Sequence, residues 1–138
     1  MNIKEIFLTH QSQISKNPIG LEVSHAQGIY IYDETGKKYI DLVAGVSACT
    51  LGHSNKKILN AIKTQISKYT HVMVYGEYIQ KPQINLAKKL AENLPKNLNC
   101  SYFVNSGTEA IEGAIKLAKK VSKKSEIIYC NGSYHGST

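Results

Sequence analysis

Ser106-Gly107-Thr108, inside the stretch FVNSGTEAIEGAIKLAKK, sets two hydroxyls around a bare glycine where a strand-like run gives way to a helical period. Ser106 with Glu109 three residues later is a capping-box signature, and that local role accounts for the pair. It does not account for Gly107, because glycine is a poor helix former and a plain cap does not ask for it. A glycine in the first turn removes a side chain where something approaches the backbone closely. The first-turn N–H groups, with the helix dipole behind them, favour an anion. Phosphate is the natural one, with the hydroxyls of Ser106 and Thr108 as further donors. On this stretch alone, phosphate binding and simple capping stand side by side.

A second stretch, NGSYHG, carries Tyr134 and His135 between Gly132 and Gly136. An aromatic face and an imidazole on permissive backbone could meet a planar ring. Taken alone, Tyr134 reads equally as a rim aromatic and His135 as a satisfied loop histidine. The elements between the two stretches bring them together. Tyr102 to Val104 and Glu126 to Cys130 are short apolar runs flanking a helical period over Ser106 to Val121, which predicts a βαβ unit with parallel strands and a right-handed crossover. Both stretches then follow the carboxyl ends of parallel strands, the edge where open α/β sheets take their ligands. A phosphorylated, planar, aromatic ligand would use both.

The remaining elements support this α/β class. Met1 to Gln13 can form a short helix. Alternating β-branched and aromatic residues predict an antiparallel meander near Leu21 to Ser24, Ile29 to Asp33 and Lys38 to Leu42, with turns at Gln27-Gly28 and Asp33 to Gly36. Ile58, Leu59, Ile62 and Ile66 recur at helical spacing after Ser54, a well-placed cap. HVMVYGEY, from His71 to Tyr78, breaks the period and reads as a loop. QINLAKKLAENL is a further helix, stopped by Pro95.

The 138-residue chain has a formal charge of +7, and all its basic residues are lysine. Lysine lacks the planar fork that reads guanine edges or clamps carboxylates, and here it falls in pairs on helix faces and ends, so no nucleic-acid partner is expected. Cys49, Cys100 and Cys130 are far apart with no C-x-x-C, which argues against a disulfide framework and a zinc site and suits a reducing, cytoplasmic setting. His10, His25 and His71 have no partner at metal-ligand spacing, so no metal is expected, and His53 reads as a structural loop residue. No apolar run is long enough for a membrane span. Lys116, Lys119 and Lys120 lie off the apolar face of their helix and are poor candidates for a desolvated nucleophile.

In order along the chain, DETGKKYIDLVAGVSACTLGH, IKTQISKYTH, FVNSGTEAIEGAIKLAKK and SYHGST resemble the class III pyridoxal-phosphate-dependent aminotransferases, the family of acetylornithine, ornithine and omega-amino-acid transaminases. The resemblance implies the fold-type I architecture: a large domain around a mostly parallel sheet and a small domain built from both chain ends. Residues 1–50 would then be the N-terminal part of the small domain and residues 51–138 the start of the large, cofactor-binding one. It implies pyridoxal 5'-phosphate as cofactor, its phosphate on Ser106, Gly107 and Thr108 and its ring against Tyr134, with His135 beside them. Val46 and Tyr75 would border the substrate pocket. The partners implied are an amino donor, a 2-oxo acid acceptor and a second copy of the chain.

The resemblance also implies that the lysine binding the cofactor covalently, and the aspartate pairing with its ring nitrogen, lie beyond the YHG segment. The chain is therefore expected to be an N-terminal piece, inert alone and containing no catalytic residue. Acetylornithine enzymes carry an arginine where this chain has Ser137, and serine cannot make that bidentate contact to a substrate carboxylate. Ornithine enzymes carry a tyrosine where it has Val46. The pattern is closer to omega-amino-acid transaminases. A glutamate-semialdehyde-type aminomutase is the alternative in the same fold, and a non-catalytic phosphate- or nucleic-acid-binding module the alternative outside it.

Overall fold

The computed structural model describes residues 2–73 and 75–137. The chain divides into two compact units, Met1–Val72 and Met73–Thr138.

The first unit opens with α1, Ile3–His10. Asn2 accepts the Glu5 amide and the Glu5 carboxylate returns to the Asn2 amide, a complete capping box. A three-stranded antiparallel sheet follows in the order β1-β2-β3, with β1 at Val23–Gln27, β2 at Tyr30–Asp33 and β3 at Lys38–Ile40. Gln27 pairs with Tyr30, so Gly28-Ile29 is a two-residue hairpin connection, and Gly28 takes the positive φ of 59° that such turns require. The first strand lies further along than the expected Leu21 to Ser24. The turn chemistry at Gly28 fixes its end at Gln27, and an irregularity between Val23 and His25 ends the regular pairing. The second connection is built on Asp33, whose carboxylate accepts the amides of Thr35 and Lys37, each at 2.9 Å.

Beyond β3 the chain enters α2, Ala44–Ser47, a single turn that is not a right-handed helix. Ala44, Gly45, Val46 and Ser47 have φ of 48°, 61°, 57° and 66°, a left-handed turn that L-residues adopt only under constraint. The constraint comes from both sides: Asp41 holds the amides of Val43 and Ala44, and the Ala44 carbonyl accepts the Cys49 amide at 2.8 Å.

The helix α3, Lys56–Ile66, is capped by Asn55 and not by Ser54. Asn55 accepts the Lys57 amide at 3.0 Å, whereas Ser54 has a φ of 54° and spends its hydroxyl on the Ala26 carbonyl at 2.7 Å. The capping site moved by one residue because Ser54 ties the helix entrance to β1.

The second unit has no helix or strand over its described residues up to Gln80, as the loop expectation required, and Val74 within that loop lies outside the described residues. Then comes α4, Lys81–Asn93, with Pro82 in its first turn, where proline's missing N–H is harmless. The last helix is α5, Gly107–Ser122, ending at Lys123 in the left-handed conformation with its amide on the Lys119 carbonyl.

The parallel strands predicted at Tyr102 to Val104 and Glu126 to Cys130 are not formed; neither segment belongs to a ladder among the described residues. Parallel sheet is stable when neighbours flank it and both faces are covered. Here no described residue is buried, and Ile128 is fully exposed. No helix among the described residues is long and apolar enough to cross a membrane.

Candidate functional site

Ser106 is the N-cap of α5. Its backbone is extended, with φ −145° and ψ 162°, and its Oγ accepts the Glu109 amide at 3.2 Å. In return the Glu109 Oε2 accepts the amides of Asn105 at 2.6 Å and Ser106 at 3.2 Å. The capping reading of this pair holds completely, and Glu109 also orders Asn105.

That arrangement uses the amides of Asn105, Ser106 and Glu109. Among the described residues, the Gly107 and Thr108 amides donate to no protein acceptor. A Cβ placed on Gly107 would meet no atom within 4 Å. Neither crowding nor a left-handed backbone therefore requires glycine there; what its absence of side chain provides is open space over two undonated N–H groups at a helix N-terminus. These are the terms on which a phosphate binds.

The second loop comes to the same place without a sheet to bring it. Gly136 lies against Thr108, and the Ser137 amide donates to Thr108 Oγ1 at 3.3 Å. Tyr134 is 81% exposed, and its hydroxyl is 3.0 Å from Ser137 Oγ. His135 stands edge-on to Tyr129, with ring centroids 6.4 Å apart and planes at 87°. Ser106, Gly107 and Thr108 are thus joined to the loop of Tyr134 and His135. The sequence did not single out Gly136 and Ser137 as the joint; the glycine after His135 was the available signal.

The two substrate candidates fall in different units. Val46, 86% exposed, is carried by the left-handed turn of the first unit. Tyr75, 84% exposed, belongs to the loop of the second.

In the first unit, His53 is the structural residue expected of it. Its backbone forms a bridge with Gly28, through N–H to carbonyl bonds of 2.9 Å and 2.7 Å, and its Nε2 lies 2.6 Å from Asp41 Oδ2. Asp41 is the partner that sequence reading missed, twelve residues away with no periodic signal linking them. The hydrogen bond from His53, together with those from the Ala44 and Val43 amides, holds the Asp41 carboxyl below the usual carboxylate range. Among the described residues, no group of three His, Cys, Asp or Glu side chains could hold a metal.

The family described as aminotransferase class-III matches residues 11–138. An acetylornithine aminotransferase from Methanopyrus kandleri is 39% identical over 129 residues, covering 94% of this chain and 32% of that relative. A glutamate-1-semialdehyde 2,1-aminomutase from Methanococcus vannielii is 40% identical over 126 residues, 89% of this chain and 28% of the relative. Among solved structures, the adenosylmethionine-8-amino-7-oxononanoate aminotransferase from Methanocaldococcus jannaschii superposes with a TM-score of 0.83 at 32% identity, over 98% of this chain and 33% of that one. An omega transaminase from Pseudomonas jessenii in complex with PMP gives 0.77 at 28% identity, over 89% and 28% of the two chains. The chain spans about a third of the length of these relatives, and over that span its fold is that of the fold-type I transaminases. On this match, which covers all but the first ten residues, the chain belongs to the class-III aminotransferase family.

Proposed function

We propose that the full-length protein is a pyridoxal-phosphate-dependent transaminase that moves an amino group between an amine or amino acid and a 2-oxo acid. The observation that carries this reading is the pair of undonated amides at Gly107 and Thr108, under open space where a Cβ would meet nothing. When bound, pyridoxal phosphate supplies the exchangeable carbonyl and the electron sink. The residues of this chain bind and orient it. The Gly107 and Thr108 amides and the Ser106 and Thr108 side chains hold the phosphate, Tyr134 offers its exposed ring to the pyridine face, and His135 stands beside it. PMP in the omega transaminase that superposes on this chain supports the same cofactor.

Within this reading, residues 1–50 belong to the small domain and residues 51–138 begin the large one, Val46 and Tyr75 border the substrate, and the working unit is a cytoplasmic homodimer. The free thiols of Cys49, Cys100 and Cys130 suit a reducing compartment.

The test is an assay of the full-length protein with pyridoxal phosphate, a panel of amino donors and 2-oxo acids. Amino transfer that depends on a separate 2-oxo acid supports the transaminase. The 40% identity to an aminomutase favours one second reading, in which donor and acceptor are the same carbon skeleton. Turnover of an amino-aldehyde without any added acceptor would replace the first reading by the second. A full-length protein that binds no pyridoxal phosphate would overturn both.

A further inference from the structure

Gly136 and Ser137 touch both halves of the cradle. An ideal Cβ on Gly136 would stand 2.5 Å from Thr108 Oγ1, 2.9 Å from its Cβ and 3.0 Å from its Cα. Two of these are atoms that no rotamer change of Thr108 can move, and the φ of Gly136 is 123°, a conformation that L side chains rarely adopt. The contact is thus as close as backbone allows, and it presses one loop on the other.

Ser137 adds direction. Its amide donates to Thr108 Oγ1 at 3.3 Å, and its hydroxyl pairs with that of Tyr134 at 3.0 Å. A threonine oxygen that accepts a backbone N–H keeps its one proton for another partner. Thr108 is the residue next to Gly107, over which space is open. One serine therefore fixes the orientation of a hydroxyl beside the anion position and anchors the aromatic side chain opposite it.

Resting on the cofactor reading above, we propose that Gly136 and Ser137 are positioning residues that register the ring-bearing loop against the phosphate-bearing turn, setting the distance between the Tyr134 ring and Thr108. Neither has to touch the cofactor.

The test measures the dissociation constant of pyridoxal phosphate and the visible circular dichroism of the bound cofactor in the full-length protein. Gly136→Ala is compared in the wild-type and Thr108→Gly backgrounds. In the wild-type background it should weaken binding about tenfold or more, as overpacking against fixed atoms does. In the Thr108→Gly background most of that loss should vanish, because the Thr108 Oγ1 and Cβ are gone. An equal loss in both backgrounds would mean backbone strain at position 136 alone, and would overturn the proposal. So would wild-type affinity in Gly136→Ala.

Should Gly136→Ala fail to fold, Ser137→Ala and Tyr134→Phe decide. Each should weaken binding by about threefold to tenfold, the effect of one hydrogen bond, and alter the dichroic band, with the double variant no worse than either single one. Additive losses would contradict the link. A wild-type protein that binds no pyridoxal phosphate overturns the cofactor reading itself, an outcome distinct from all of these.

Discussion

The Asp41 carboxylate lies 2.6 Å from His53 Nε2 while it accepts the amides of Val43 at 3.0 Å and Ala44 at 2.9 Å. One side chain, itself only 8% exposed, closes the neck of the 41–53 loop and holds the first amides of the left-handed turn that carries Val46. Compact loops with clamped ends commonly serve function, and strain of this kind persists only where the surroundings impose it. Asp41→Ala should therefore lower the melting temperature of the full-length protein more than His53→Gln, because it frees two backbone amides as well as the ring. Equal losses, measured by thermal unfolding, would show that the backbone bonds of Asp41 contribute nothing.

Asp33 gives the clearest pH dependence. Its carboxylate accepts the Thr35 hydroxyl at 2.7 Å, the Tyr39 hydroxyl at 2.8 Å and the amides of Thr35 and Lys37. These hydrogen bonds, that of the Thr35 hydroxyl first, lower its pKa from 3.8 to about 2. A pKa lower in the folded than in the unfolded state means that the charged form stabilises the fold. That contribution is complete above the unfolded value near 4 and disappears as pH falls through about 2. Asp33→Asn should melt below the wild type at pH 6, with the gap narrowing between pH 4 and pH 2. A gap that does not change with pH would contradict the assignment.

Glu109 and Ser106 cap α5 reciprocally, yet only Ser106 is assigned to the phosphate. Glu109→Ala should destabilise the full-length protein by about 1 kcal/mol, the usual worth of a cap, while changing pyridoxal phosphate affinity less than Ser106→Ala does. Calorimetry together with cofactor titration separates the two effects. A larger affinity loss in Glu109→Ala would assign that carboxylate a part in the cradle.

Much of the site was legible because its chemistry is local. The capping box at Ser106 and Glu109, and the misfit of Gly107 within it, need only four consecutive residues to be read. The helices were legible through apolar spacing, and the meander through its turn residues, although Gly28 moved the end of β1. What was not legible depends on contacts between distant residues. Asn55 caps α3 because Ser54 is drawn to Ala26 in the sheet, and no propensity scale holds that competition. Asp41 finds His53 across a loop. The left-handed turn at Ala44–Ser47 comes from bonds on both flanks, at residues of which only Gly45 favours that conformation. The strands expected at 102–104 and 126–130 match the apolar pattern of parallel sheet, but pattern alone provides neither neighbours nor cover.

Gly107→Asp in the full-length protein tests the central claim most directly. An acidic residue in place of glycine in the first turn of α5 suits a helix that is merely capped, through better propensity and the helix dipole. It also sets a negative side chain in the space assigned to phosphate. The account predicts that the cofactor-free variant melts no lower than the wild type while its dissociation constant for pyridoxal phosphate rises at least about a hundredfold, roughly the loss from burying like charges together. An unchanged dissociation constant would contradict it, leaving Ser106-Gly107-Thr108 as a helix cap and nothing more.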